Sequence, residues 1–393
     1  MYGVRERKPL YTNVAKELTC GNVLRFLSIE KTLTTEEKGS ISSSVIAFGK
    51  YNGPCQTVCP SRDIAIKASF QYDPVDIYTA KAHKHNREDI VHHINKLKSL
   101  SYESVVYSNL FHKLAEKPSF NHYYNMVPYV TSLSCVLNNI GDLDTLLSQL
   151  DVTNRNALKF RDALLKLYQE QYITTTAYPN IFHILITEKA QEVLPMANLF
   201  ESQLKHPTGK YGSILEDQLR SYILQALITL QLLIDNNIQH NDMHLKNVLV
   251  DVNPNEKTVF YEVTPTFGFK VPMQYGRVLL FDWDNAHCAE CGMNSYIDQY
   301  ICQDSGVCSK MNIKYDLYTF LISLYITLKI NIDMYPEFQN FVSTVINLEH
   351  LPELASISSV NRMSAKYGYE GPSTVMNIYD ALKLPYFDIW RVK

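Results

Sequence analysis

The segment from Ile238 to Val250 constrains this chain most, because it fixes the spacing of two polar groups between two apolar elements. Within it, Asp242 and Asn247 lie five residues apart. Apolar residues recur at helical spacing over residues 215–234, which predicts a long helix immediately before the segment. The apolar run Val248–Val250 predicts a strand immediately after it. A carboxylate and an amide are therefore confined to one short polar turn.

The composition is that of a folded chain without an obvious nucleic-acid or membrane partner. Its 393 residues suffice for two domains with separate cores, and its formal net charge of -3 does not favour nucleic-acid binding. No apolar run approaches the roughly 18 residues needed to span a bilayer, and the first residues lack the apolar stretch of a signal peptide. Eight cysteines are too sparse for a disulfide scaffold, so we expect an intracellular protein with free thiols.

Upstream of the polar turn, a lysine and an acidic residue form a candidate ion pair. Ile64–Lys67 predicts an apolar strand that ends in the lysine. Glu103 lies on a predicted helix, and apolar residues at helical spacing continue from it as a buried face. We therefore favour Glu103 as the partner of Lys67. Glu88, which is nearer to Lys67 in sequence, is the alternative.

Downstream, two further aspartates occupy defined positions. Asp282 follows the apolar run Val278–Phe281, at the predicted end of a strand. Asp316 opens a predicted apolar helix over residues 315–330. These motifs resemble those of protein kinases, in which the matching aspartate and asparagine hold Mg²⁺, so the resemblance implies a magnesium site at Asp282 and Asn247.

The order of these motifs from about residue 39 to residue 330 resembles that of a divergent eukaryotic-type protein kinase. The likeness is strongest to serine/threonine kinases of large DNA viruses, and the turn also resembles the loop of haspin. The family implies an α+β fold of two lobes, with the reaction in the cleft between them. We expect a helical extension at 1–30, a strand-rich N-lobe at 31–188 with a helical insertion at about 132–180, and a helical C-lobe with a C-terminal extension at 189–393.

The resemblance assigns roles in γ-phosphate transfer to the residues of the turn. Asp242 would orient the acceptor hydroxyl and accept its proton, while His240 would pack inward. His244 or Lys246 would neutralise the γ-phosphate. Asp316 would accept backbone hydrogens of the turn and fix its shape.

The resemblance also predicts ATP and Mg²⁺ as cofactors. Lys67 would bind the α- and β-phosphates, and backbone groups of Glu188 and Ala190 would meet the adenine. A serine-rich turn stands where kinases carry a glycine-rich phosphate loop, and its candidate contacts are Gly39, Ser40, Ile41, Ser44 and Val45.

Departures from the kinase pattern leave the acceptor open. No Ala-Pro-Glu sequence precedes Asp316, and Asn241 replaces the arginine that reads activation-loop phosphorylation in many kinases. We expect a protein substrate of unknown identity, with serine or threonine favoured over tyrosine, in the host cytoplasm or the virion if the protein is viral. A small-molecule phosphotransferase of the aminoglycoside or choline kinase type is the alternative, and a pseudokinase scaffold is a third hypothesis.

Four cysteines after Asp282 have a spacing that suits a structural zinc ion. The candidate ligands are Cys288, Cys291, Cys302 and Cys308. The alternative is that they are free thiols. Neither interpretation affects the proposed chemistry of the turn.

Overall fold

The computed structural model describes residues 18–33, 44–53, 63–72, 101–111, 125–175, 179–189, 192–294, 297, 311–346 and 375–392. The chain divides into two compact units: unit 1 comprises residues 1–115 and 128–189, and unit 2 comprises residues 116–127 and 190–393. Both units contain helices and antiparallel sheets, which confirms the predicted α+β class. Residues 125–127 belong to unit 2, although the sequence pattern places them in the first domain.

Unit 1 is built on a five-stranded antiparallel sheet with the strand order β1-β2-β3-β5-β4. Its strands are β1 (Leu27–Thr32), β2 (Ser44–Tyr51), β3 (Asp63–Gln71), β4 (Tyr129–Val136) and β5 (Ile181–Glu188). Since β3 lies at the centre, both of its edges are hydrogen-bonded and its position is fixed on two sides.

The predicted N-terminal helical extension at 1–30 is wrong where the structure describes it. A short 3-10 turn, Leu24–Phe26, passes directly into β1, which pairs with β2 along the sheet edge. Leu24, Leu27 and Ile29 are buried in the core of unit 1. The alternating burial of these apolar residues favours a strand over a continued helix.

Three helices complete the described part of unit 1: α1 (residues 101–111), α2 (Ile140–Leu147) and α3 (Arg155–Thr175). The predicted insertion at about 132–180 thus contains the last residues of β4 as well as α2 and α3. Helix α3 shares the hydrophobic core with the sheet, and the rings of Phe70 and Tyr168 lie 5.1 Å apart. The segment is part of the core of unit 1. A disulfide, Cys20–Cys135, joins the start of the described chain to β4.

Unit 2 combines helices with short sheets. Its described helices are α4 (Met196–Lys205), α5 (Glu216–Asp235), α6 (Tyr315–Leu328), α7 (Pro336–Val345) and α8 (Ile378–Leu382). Its described strands are β6 (Val193–Pro195), β7 (Ile238–Gln239), β8 (Val248–Asp251), β9 (Thr258–Thr264), β10 (Phe267–Pro272), β11 (Arg277–Leu280), β12 (His287–Cys288) and β13 (Arg391–Val392). Two 3-10 segments, Lys329–Met334 and Pro385–Trp390, follow α6 and α8.

Helix α5 and the pairing of β8 with β11 position the polar turn of unit 2. Most of α5 is buried around its circumference, so the helix is held on several sides and its end is fixed. The chain then passes through β7, which pairs with β12, and enters the turn. Strand β8 leaves the turn and pairs antiparallel with β11. Among the described residues, no helix is both long and apolar enough to cross a membrane.

Candidate active site

Unit 1 contains a buried ion pair between Lys67 and Glu103. Lys67 lies on β3, where its apolar neighbours Ile66 and Ala68 are buried. Its Nζ atom lies 2.7 Å from Oε2 of Glu103 on α1. The Glu103 side chain is only 3% exposed and the Lys67 side chain 21%. A carboxylate this deeply buried requires its cation, since an unpaired charge there would be strongly destabilising. Glu88, the alternative partner, lies outside the described residues.

In unit 2, Asp316 holds the start of the polar turn through two backbone bonds. The His240 N–H donates to Oδ2 of Asp316 at 2.7 Å, and the Asn241 N–H donates to Oδ1 at 2.8 Å. Burial raises the pKa of Asp316 to about 6, with the two hydrogen bonds acting in the opposite direction. Asn241 adopts a left-handed backbone with φ 64°, which asparagine tolerates better than most residues. This is the arrangement that the resemblance to kinases implies for Asp316.

The Asp242 carboxylate is surrounded by neutral amide donors. Nδ2 of Asn247 lies 3.0 Å from Oδ2 of Asp242 and also donates to the Asp242 carbonyl oxygen at 3.1 Å. Nδ2 of Asn285 donates to the same Oδ2 at 3.1 Å. The amides fix the rotation of the carboxylate without neutralising its charge. Both amides donate to Oδ2 of Asp242 and neither donates to Oδ1, so the two oxygens have different surroundings.

Asn285 was not identified from the sequence. The residue lies beyond the Asp-Trp-Asp run, and no spacing rule connects it with Asp242. Its contact depends on the path of the chain after β11, which joins residues 43 positions apart. An amide just after the Asp282 motif is the only sequence signal, and it is not specific.

His244 faces the other oxygen of Asp242. The Lys246 N–H donates to Nδ1 of His244 at 3.2 Å, so the neutral imidazole carries its proton on Nε2. Nε2 lies 3.5 Å from Oδ1 of Asp242. The Lys246 side chain is exposed. His244 is therefore oriented toward the carboxylate, while Lys246 contributes its backbone to that orientation.

Asn247 and Asp282 lie at the same end of the β8–β11 pair. The register pairs Val248 with Leu280, and the Phe281 N–H donates to the Asn247 carbonyl at 3.4 Å. Asp282 then adopts a left-handed backbone with φ 69°. Because of this left-handed backbone, the Asp282 side chain can leave the chain in a different direction from the side chains of β11.

The residues at this end fit a magnesium ion shared with phosphate groups. The Nδ2 of Asn247 is engaged by Asp242, which leaves its Oδ1 as the atom suited to a cation. Asp282 supplies a carboxylate, and such oxygen donors match Mg²⁺. Among the described residues, no three His, Cys, Asp or Glu side chains converge as a metal cluster.

An aromatic contact between His240 and Trp283 stabilises the turn. His240 is fully buried, and its ring centroid lies 4.7 Å from that of Trp283. Nε2 of His240 lies 2.9 Å from the Phe281 carbonyl, to which it donates. His240 therefore packs inward, as the sequence predicts, and links the turn to the end of β11.

The predicted nucleotide contacts in unit 1 are only partly described. Ser44 and Val45 begin β2 and are buried, whereas Gly39, Ser40, Ile41 and Ala190 lie outside the described residues. The Glu188 N–H donates to the Pro128 carbonyl at 2.8 Å. That donor is thus used within unit 1 and is not available to an adenine.

The described cysteines contradict the prediction of free thiols. Cys288 and Cys291 form a disulfide, as do Cys20 and Cys135. Two of the four candidate zinc ligands are thus paired with each other, and the four-cysteine zinc site stays a prediction. Cys302 and Cys308 lie outside the described residues.

Comparison with family models and curated proteins finds no relative of the chain, whereas comparison with solved structures finds matches. The solved structures that resemble it include the crystal structure of a kinase domain, with 11% sequence identity, a TM-score of 0.38, and coverage of 94% of this chain and 98% of that chain. A TM-score of this size does not by itself establish a shared fold.

Proposed function

We propose that the chain is a phosphotransferase with a protein-kinase-like fold, which transfers the γ-phosphate of ATP to protein hydroxyl groups, chiefly those of serine and threonine. One observation carries the proposal: the Asp242 carboxylate is fixed by Asn247 and Asn285 on one oxygen and faces His244 with the other. Phosphoryl transfer requires a carboxylate held in this way, because catalysis consists mainly of positioning and charge stabilisation.

In the proposed reaction, Asp242 aligns the acceptor hydroxyl and accepts its proton as the hydroxyl oxygen bonds to the γ-phosphorus. The bond between that phosphorus and the β–γ bridging oxygen breaks, and ADP leaves with the bridging oxygen. His244 stabilises the negative charge beside Oδ1, since its Nε2 carries a proton. Asp316 keeps the backbone of the turn in place throughout. Each role uses a group whose orientation is fixed by hydrogen bonds before substrate binds.

We further propose that ATP and Mg²⁺ are the cofactors of this reaction. Lys67, oriented by Glu103, binds the α- and β-phosphates. Asn247 and Asp282 hold Mg²⁺, which when bound neutralises charge on the phosphates. The amide of Asn247 then serves two purposes, because its nitrogen orients Asp242 and its oxygen remains for the cation.

The central test is Asp242→Asn, measured with magnesium-ATP and a mixture of proteins as acceptors. We expect transfer to fall by at least about a thousandfold, because the acceptor loses its base and its alignment. ATP affinity should stay close to that of the unaltered protein, since Asp242 does not bind the nucleotide in this proposal. Undiminished transfer by the variant would remove the mechanism.

The acceptor class is tested separately, with labelled ATP and either protein mixtures or small soluble alcohols. The fully buried Trp283 and the His-Asn-Asp-Met-His turn favour the alternative, a small-molecule phosphotransferase, since both features resemble the aminoglycoside and choline kinase type. Label on proteins supports the protein-kinase reading, and label only on alcohols supports the alternative. Absence of any magnesium-dependent turnover would favour the scaffold hypothesis.

A further inference from the structure

A buried histidine on β5 connects three elements of unit 1, and the proposed reaction does not use it. His183 is 4% exposed and lies opposite Ser134 of β4 in the strand register. Its Nδ1 atom lies 2.9 Å from Oγ of Ser134, and its Nε2 atom lies 2.7 Å from Oγ of Ser104 on α1. The imidazole ring therefore bridges the sheet and the helix.

The bridge suits a neutral imidazole. A neutral ring has one nitrogen that donates and one that accepts, and each serine hydroxyl can take either role. Both ring nitrogens are thus satisfied in a buried site. Burial lowers the pKa of His183 to about 4, and the positive charge of Lys67 on β3 acts in the same direction. Glu103, which precedes Ser104 on α1, is also charged and is paired with Lys67.

The position of Ser104 gives the bridge its consequence. Ser104 directly follows Glu103, and both side chains are 3% exposed. A helix residue next to the ion pair is thereby bonded to β5 of the sheet. A second attachment of α1 is the stacked pair Tyr107 and Tyr129, whose ring centroids lie 6.0 Å apart. The aromatic pair holds the helix by packing, whereas the His183 bond fixes its rotation close to Glu103.

We propose that His183 is a positioning residue, which holds α1 through Ser104 so that the Glu103 carboxylate meets Lys67. The bond to Ser134 has a different purpose: it orients the imidazole within the sheet. The catalytic consequence rests on the proposed function, because it assumes that Lys67 binds ATP. The structural coupling between His183 and α1 does not depend on that assumption.

The two serines provide a matched pair of variants. Ser104→Ala and Ser134→Ala each remove one hydroxyl from the same imidazole. We expect Ser104→Ala to raise the KM for magnesium-ATP about fivefold, the effect of losing one buried hydrogen bond, with a smaller change in kcat. Ser134→Ala should leave the KM within about twofold, since the aromatic pair and the Ser104 bond remain.

Two replacements of the histidine sharpen the test. The amide of His183→Gln reaches the position of Nε2, and the amide of His183→Asn reaches the position of Nδ1. We therefore expect His183→Gln to restore a KM near that of the unaltered protein, while His183→Asn resembles Ser104→Ala. Because Asn also fills less volume than Gln, the pair Ser104→Ala and Ser134→Ala, which remove the same atom, separates this effect from a loss of packing.

Amide hydrogen exchange of residues 101–111 measures the coupling without nucleotide. Exchange there should accelerate in Ser104→Ala relative to Ser134→Ala. Equal exchange in the two variants would overturn the positioning role. If the unaltered protein turns over no nucleotide, the proposed function fails, yet the exchange contrast still decides the role of His183. Unequal exchange with an unchanged KM would overturn the catalytic consequence alone.

Discussion

The two units hold their charged groups through contacts of different range along the chain. In unit 1, Lys67 and Glu103 are 36 residues apart, Ser104 and His183 are 79 apart, and the Cys20–Cys135 disulfide spans 115 residues. In unit 2, Asn247 reaches back five residues to Asp242, and Cys288 is joined to Cys291 across three. Hydrogen bonds to Asn285 and Asp316, which lie far from the turn in sequence, then anchor it.

Each site therefore depends in a different way on the rest of its unit. The ion pair of unit 1 forms only when distant segments have assembled, so changes remote from Lys67 will reach it. The turn of unit 2 has its shape specified by neighbouring residues, so remote changes act mainly through its two anchors. The following predictions test this contrast.

The largest expected effect concerns the two disulfides. In the chain-entropy model, a 115-residue closure stabilises by about 5 kcal/mol and a three-residue closure by less than about 2 kcal/mol. We expect Cys20→Ala with Cys135→Ala to lower the hydrogen-exchange free energies of unit 1 far more than Cys288→Ala with Cys291→Ala lowers those of unit 2. Equal losses would contradict the contrast in range.

The second prediction concerns the buried ion pair. Lys67→Met leaves the Glu103 carboxylate buried without its cation, so we expect the free energy of unfolding to fall by about 4 kcal/mol. The double variant Lys67→Met with Glu103→Gln should recover most of this loss, because the buried charge is gone. Urea unfolding of the three proteins measures both values. A double variant no more stable than the single one would refute the explanation.

The third prediction concerns pH and His183. Its pKa is lowered from 6.5 to about 4 in the folded state, so the folded protein binds fewer protons than the unfolded chain between these values. The contribution of neutral His183 to the free energy of unfolding is fully present above pH 6.5. It is lost as the pH falls toward 4, by about 3 kcal/mol in total. In His183→Gln this part of the pH dependence should disappear. An unchanged stability profile would show that His183 does not titrate as described.

The smallest expected effect concerns Asn285. Asn285→Ala removes one of the amide donors to Asp242, and we expect kcat to fall about tenfold with little change in the KM for ATP. Asn138→Ala is a matched control, since Asn138 makes a similar amide bond to Asp142, also at 3.1 Å, in unit 1. A fall in kcat in the control, or none in Asn285→Ala, would remove the assigned role.

The same contrast explains what the sequence could predict. The polar turn of unit 2 could be predicted from the sequence because Asp242, His244 and Asn247 are neighbours in the chain. For the partner of Lys67, the sequence offered two acidic residues, Glu103 and Glu88. The helical spacing of apolar residues favoured Glu103, and Glu103 does contact Lys67. Asn285 and His183 were missed because their partners are set by strand pairing and chain path. No local pattern encodes such contacts.

Two errors have similar physical causes. Leu27–Thr32 has apolar residues that fit either a helix or a strand, and pairing with β2 decides for the strand. The small number of cysteines predicted free thiols, but thiol pairing depends on which sulfurs lie close together in the fold. Both outcomes were decided by residues distant in sequence.

The left-handed backbone of Asp282 limits how this position can change over evolution. A φ of 69° is unfavourable for β-branched and bulky residues. Glycine, asparagine and aspartate adopt it at little cost. Among these three, aspartate alone supplies a carboxylate. Substitution that keeps the local backbone must therefore pass through asparagine or glycine, and each of those removes the carboxylate from the proposed cation site while leaving the surrounding fold intact.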